Sequence, residues 1–164
     1  MISGGRGRAG SGSGQLAFLV AQVGGLAAMR FADRVSVAGV SPPQAGLLRV
    51  VAAEPGRTQQ AVSAQLGLLP SRLVILVDEL EGRGLIERRR DPNDRRNSAL
   101  YITDAGMAVL LDVGRAAQAH GEDFLAPLSK ADRATLSDLL GRLAVHHGLT
   151  SDVHPGYRTL GRES

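Results

Sequence analysis

The chain has 164 residues, of which 43% are hydrophobic and 21% charged, a size that fits one compact domain with short tails. It contains no cysteine, which excludes disulfides, thiolate metal sites and thiol-based sensing. The net charge is only +3, and all of this excess lies in residues 83–96. A local basic patch of this kind is typical of a surface that contacts phosphate groups, and the alternative is a solvated hairpin that only keeps the protein soluble.

Residues 1–14 are rich in glycine, serine and arginine and predict a flexible N-terminal tail. The apolar stretch that follows is interrupted by Gln15, Gln22 and Gly24 and lacks a convincing cleavage site, so we expect neither a signal peptide nor a membrane span. A cytoplasmic protein is therefore predicted. Over residues 15–38 apolar residues return every three or four positions, which predicts an amphipathic helix.

Residues 39–83 predict three shorter helices. Ser41 followed by two prolines opens the first of them, and Glu54, Pro55 and Gly56 end it. Thr58 can cap a short helix that ends at Gly67, and Pro70 opens another helix that runs to about Arg83. Two helices joined by a tight turn with glycine form a helix-turn-helix.

The next segment predicts a β-hairpin. Residues 85–89 and 98–102 have the composition of strands, and residues 91–94 have strong turn chemistry. Thr103 can then cap a fifth helix, and Ser129 with Asp132 resembles a capping box for a sixth. Residues 150–164 turn to glycine, serine, proline and charges, which predicts a frayed C-terminal tail.

The order of these pieces resembles the MarR family of transcription regulators. The likeness runs from about Val40 to Leu111 and includes residues 41–44, 60–66 and 77–88. Its most specific part is the hairpin, in which an Asp-x-Arg at residues 94–96 is followed six residues later by Ile102 and Thr103, where the family has Leu-Thr.

The resemblance implies a mostly α fold with a small β-hairpin wing. A winged helix-turn-helix core over residues 39–102 would be flanked by an N-terminal dimerisation helix over residues 15–38 and C-terminal dimerisation helices over residues 103–149. The implied protein is a homodimeric repressor, not an enzyme, that reads a pseudo-palindromic site in double-stranded DNA and is released by a small-molecule effector. No cofactor is expected.

The resemblance also assigns residues to DNA. Ser71, Arg72, Val74 and Ile75 fall on the groove-facing side of the fourth helix, while Arg96, directed by Asp94, enters the minor groove in relatives. The other members of the predicted DNA-binding set are Arg88, Arg90 and Arg95, the last two as phosphate contacts. The family commonly has Thr and Arg where this chain has Val74 and Ile75, which implies altered or relaxed base preference.

Three further interpretations concern the remaining residues. Phe18 and Phe31 are candidates for an effector pocket, with core packing as the alternative for each. His146, His147, Asp152 and His154 fit no standard metal-ligand spacing, so no metal site is predicted. The alternative function is a winged-helix module that binds other proteins and has lost specific DNA reading.

Overall fold

The computed structural model describes residues 12–90 and 98–149 and confirms a mostly α fold with one small hairpin. Its elements are α1 (Ser13–Ser36), α2 (Pro42–Ala53), α3 (Gln59–Leu66), α4 (Pro70–Gly82), β1 (Ile86–Arg90), β2 (Ser98–Ile102), α5 (Asp104–Phe124) and α6 (Lys130–His146). Because α1 begins at Ser13, the last two residues of the predicted N-terminal tail are helical. Residues 1–11 of that tail and the whole predicted C-terminal tail lie outside the described residues.

Four helices begin at the capping residues that the sequence predicted. The hydroxyls of Thr58 and Thr103 accept backbone N–H groups of α3 and α5. Ser41 and Ser129 open full capping boxes, and in the second box Asp132 takes the position usually held by Glu or Gln. The helix boundaries are therefore set by local chemistry.

The hydrophobic core lies in the middle of the chain. Its largest fully buried side chains come from α2, α4 and the two strands, with one from the end of α1 and one from α3: Leu47, Leu48, Val51, Leu73, Val77, Leu80, Ile86, Leu100, Val35 and Val62. Helix α6 contributes no buried residue. The segment from α2 to β2, here called the winged unit, thus has its own hydrophobic interior. Helix α6 and most of α1 contribute nothing to that interior.

Strand β2 of the hairpin has backbone partners on both of its sides. β1 and β2 pair antiparallel in a register that places Ile86 opposite Ile102 and Arg90 opposite Ser98. On its other side β2 is bound to the loop before α3, where the Leu100 N–H donates to the Arg57 carbonyl at 2.9 Å. β2 is consequently fixed by backbone hydrogen bonds to β1 on one side and to the loop before α3 on the other.

Helix α5 begins in direct contact with the base of the wing. The Thr103 hydroxyl donates to the Gly84 carbonyl at 2.7 Å, and the Thr103 N–H donates to the Leu85 carbonyl at 3.1 Å. Gly106 lies so close that a Cβ placed there would stand 1.9 Å from the Leu85 oxygen. Only glycine permits this approach of α5 to the wing.

Much of the apolar surface of α1 and α6 is exposed. Phe18, for which core packing was the alternative, is 65% exposed, so that alternative is wrong within this chain. The exposed apolar residues of the two helices are Leu16, Phe18, Leu19, Val20, Val23, Leu26, Met29, Leu139, Leu140, Leu143 and Val145. By length and hydropathy alone α1 could span a membrane, contrary to the sequence expectation, although helices of soluble proteins also pass that test.

Candidate nucleic-acid interface

The turn between α3 and α4 is fixed by one glycine and one buried hydroxyl. Gly67 has a φ of +64°, a left-handed conformation that ends α3 without strain only for glycine or a few polar residues. The buried Ser63 hydroxyl donates to the Leu68 carbonyl at 2.6 Å across the turn. The two helices are bent by 112° relative to each other, within the range of a helix-turn-helix.

Helix α4 turns a single face away from the core. Its buried residues are Leu73, Val77 and Leu80, which leaves Ser71, Val74, Ile75 and Asp78 at helical spacing on the outward face. Val74 is 42% exposed and Ile75 is 50% exposed. Arg72 is half-buried on the flank of the same helix. The four predicted α4 residues are thus brought together at the first two turns.

The described part of the wing carries arginines along β1. The Arg89 guanidinium lies 4.2 Å from the centre of the Tyr101 ring and pairs with Glu87. Residues 91–97, which include the predicted DNA contacts Asp94, Arg95 and Arg96, lie outside the described residues, and so does the side chain of Arg90. Their roles stay predictions.

Arg88 has a different arrangement from the predicted one. Its guanidinium pairs with Asp78 and Glu81 of α4, and its side chain is only 21% exposed. The Arg88 N–H also donates to Glu81 Oε1 at 3.0 Å. Arg88 therefore joins β1 to α4 in this structure instead of presenting a free cation to DNA.

Sequence reasoning missed the partners of Arg88. The three-residue spacing of Asp78 and Glu81 places both carboxylates on one side of α4, and this spacing was the available signal. A third carboxylate of the helix, that of Glu79, accepts a hydrogen bond from the Gln44 amide at 2.8 Å. Every carboxylate of α4 thus has a polar partner, and those of Asp78 and Glu81 share one cation, the Arg88 guanidinium.

Comparisons with known proteins agree with this architecture. The sequence profile described as MarR family matches residues 38–97. A protein of Thauera aromatica, named as a transcriptional regulatory protein for the hcr operon, is 39% identical over 82% of this chain and 81% of its own length. The chain belongs to the MarR family. It is a transcriptional regulator with a DNA-binding winged-helix fold, and members of this class are not enzymes.

Solved MarR-family structures extend the likeness beyond the wing. The PcaV regulator of Streptomyces coelicolor is 32% identical and superimposes with a TM-score of 0.71 over 82% of this chain and 98% of its own. PcaV has also been solved in complex with its natural ligand. The repressor CouR, solved on a 23-mer DNA duplex, is 32% identical with a TM-score of 0.72 over 82% of this chain and 96% of its own.

A second feature of this MarR-family chain is a groove between the end of α1 and α5. It has a volume of about 470 Å³ and is lined by Arg34, Val37, Ala38, Asp112 and Ala116. Arg34 pairs across the helices with Asp123. The groove thus brings apolar and charged side chains together between the end of α1 and α5.

The two predicted effector residues do not come together. Phe31, one helical turn before Arg34, lies 5.8 Å from the His120 ring, and His120 lies 5.4 Å from the Phe124 ring. Phe18 precedes Phe31 by thirteen residues, which is about 20 Å along a helix axis. Of the two candidates only Phe31 lies near the groove, and a role of either residue in effector binding stays a prediction.

Proposed function

We propose that the protein is a homodimeric repressor that binds a pseudo-palindromic operator in double-stranded DNA. The observation that carries this proposal is the outward face of α4, which the described residues leave uncovered and beside which Arg88 holds the carboxylates of Asp78 and Glu81. An α-helix fits the major groove, and its first residues meet base edges there. Ser71 and Arg72 would make the polar contacts of the recognition helix.

The wing would supply the second set of DNA contacts. Arg96, directed by Asp94, would enter the minor groove, and Arg90 and Arg95 would contact phosphates. CouR, a repressor at 32% identity that has been solved on a DNA duplex, supports DNA binding by this fold. As a DNA-binding regulator the protein would act in the cytoplasm.

A second copy of the chain would cover the exposed apolar residues of α1 and α6. Large exposed apolar patches are rare on monomeric proteins and mark interfaces. Two copies related by a two-fold axis would place two recognition helices on half-sites about 10 base pairs apart. The same symmetry makes the operator pseudo-palindromic.

A small molecule bound in the groove between α1 and α5 would release the operator. The groove borders helix α1, which would lie in the dimer interface, and helix α5, which begins at the base of the wing. A ligand there acts only by preferring a spacing of the recognition helices that does not fit DNA. The ligand complex of PcaV supports an effector of this kind, and Phe31 is the aromatic residue nearest the groove.

The alternative, a protein-binding module without specific DNA reading, is supported by the apolar pair Val74 and Ile75 on the recognition helix. It would bind all DNA sequences equally. Salt would not change its affinity for its protein partner.

Fluorescence anisotropy with the DNA upstream of the protein's own gene and a scrambled control, each at two salt concentrations, tests the proposal. We expect salt-sensitive binding that prefers the upstream DNA and weakens in Arg96→Ala. Arg115→Ala is the matched control, because this arginine is 75% exposed on α5 and pairs only with Asp112 among the described ion pairs. Equal, weak binding to both DNAs would favour the alternative.

A further inference from the structure

The centre of the outward face of α4 is apolar. Val74 and Ile75 lie between Ser71 and Asp78 on this face and are each about half exposed, although the same helix buries three other apolar residues. Neither side chain has an atom that can donate or accept a hydrogen bond. If α4 lies in the major groove, its middle cannot read base edges by hydrogen bonding.

Only one base offers an apolar group in the major groove. Thymine carries the C5-methyl, whereas cytosine presents an amino donor and guanine two acceptors. An amino donor or acceptor pressed against Val or Ile loses its water without gaining a partner, which is unfavourable. Val and Ile also have stiff side chains, so little rotamer freedom is lost when they pack on a methyl group.

We propose that Val74 and Ile75 read thymine methyl groups, so that each operator half-site carries a thymine opposite the middle of α4. This inference rests on the proposed function, because it needs α4 in the major groove. The fold favours DNA over a protein as the occupant, since α4 is the second helix of a helix-turn-helix and the repressor CouR, 32% identical, has been solved on a DNA duplex.

The flanking side chains limit how much of the site is read in this way. Ser71 precedes the apolar pair by one turn and carries a hydroxyl that can donate or accept. Asp78 follows by one turn, but its carboxylate is held by Arg88. Methyl recognition is therefore confined to the base pairs between those that Ser71 and the wing contact.

Removal of single methyl groups from the DNA tests the inference. The operator is first selected from random duplexes by the full-length protein, and each thymine of a half-site is then replaced by deoxyuridine, which lacks only the methyl. We expect at least one position per half-site where uridine weakens binding about threefold to fourfold, as the loss of one buried methyl-sized group predicts. Deoxyuridine outside the selected site is the DNA control.

A double variant of the protein assigns the effect to residues. Val74→Ala with Ile75→Ala should discriminate much less between the thymine and uridine operators than the wild type does, because alanine keeps only a short methyl at each position. Both positions are exposed and alanine favours helices, so the variant should fold. Cytosine at the sensitive position should weaken wild-type binding, and 5-methylcytosine should recover part of the loss, which a hydrogen-bonding role would not produce.

The outcomes separate the inference from the proposed function. A selected, salt-sensitive operator that tolerates uridine at every position, or that has no thymine in its half-sites, would overturn the methyl reading and leave the repressor proposal standing. A selection that enriches no sequence would overturn both. Uridine sensitivity that persists unchanged in the double variant would assign methyl reading to other residues and would also overturn the inference.

Discussion

Arg88 in β1 and Glu81 in α4 are joined twice, once through the backbone and once through their side chains. The Arg88 N–H donates to one carboxylate oxygen at 3.0 Å, and the Arg88 guanidinium pairs with the other oxygen and with Asp78. The wing strand β1 and helix α4 are thereby fixed to each other by hydrogen bonds and ion pairs. Both elements would have to meet DNA together, so their relative placement matters for affinity.

Removal of the Arg88 side chain should destabilise the protein. Arg88→Ala leaves Glu81 with a single hydrogen bond from the chain and Asp78 without its ion pair, and we expect the free energy of unfolding to fall by about 1–2 kcal/mol. Urea denaturation followed by circular dichroism measures the change. Arg115→Ala, which removes an exposed helical pair, should change stability by less than about 0.5 kcal/mol.

The effect of the same residue on DNA distinguishes positioning from direct contact. If Arg88 acts through Glu81, then Glu81→Gln should weaken operator binding although it removes a negative charge. Neither this variant nor Arg88→Ala should change the dependence of affinity on salt. A direct phosphate contact by Arg88 would instead lower the salt slope by about 1 in Arg88→Ala. Such a drop would restore the prediction made from the sequence.

The close approach of α5 to the wing should make Gly106 intolerant of a side chain. Gly106→Ala would force the new methyl against the Leu85 carbonyl, and we expect a loss of about 3 kcal/mol or more in the free energy of unfolding. Gly114→Ala on the same helix has open space around the position and should stabilise by about 0.5–1 kcal/mol. Thermal or urea unfolding of the pair is the measurement, and similar behaviour of both variants would contradict this packing.

The sequence predicted what is set by neighbouring residues and missed what is set across the fold. Thr58 and Thr103 could be assigned as caps because the amides that they bind lie within a few residues. The approach of Gly106 to Leu85 and the pairing of Arg88 with α4 depend on elements that meet only in the folded chain. The exposure of Phe18 was missed for a related reason, because periodicity identifies an apolar face but not what covers it.

A charge placed in the exposed apolar face of α6 should separate the proposed dimer. Leu140→Glu would bury a carboxylate against apolar groups of the second copy, where an unpaired charge is strongly unfavourable. Sedimentation velocity should show a monomer, or a dimer that dissociates at much higher concentration than wild type. Leu69→Glu, a similarly exposed leucine at the start of α4, should leave the dimer intact. A Leu140→Glu protein that remains dimeric would exclude α6 from the interface.

The buried hydroxyl in the turn before α4 should contribute to both stability and DNA affinity. Ser63→Ala leaves the Leu68 carbonyl without its 2.6 Å hydrogen bond in a site where water has little access, so we expect a loss of about 1–3 kcal/mol in unfolding free energy. Ser36→Ala removes a hydrogen bond of the same kind at the surface, where the Ser36 hydroxyl donates to the Asp33 carbonyl at 2.6 Å. This variant should lower the free energy of unfolding by less than about 0.5 kcal/mol.

The turn also sets the direction in which α4 leaves α3, so Ser63→Ala should weaken operator binding even at temperatures where the variant is fully folded. Anisotropy titrations well below the unfolding transition measure this effect, and Ser36→Ala serves as the control variant. Because Ser63 is buried and cannot contact DNA itself, weaker binding by a folded Ser63→Ala protein has to come from the placement of the recognition helix. Unchanged affinity would mean that two features left intact by the substitution are enough to hold the turn: the glycine at position 67 and the hydrogen bond from the Leu68 N–H to the backbone carbonyl of residue 63.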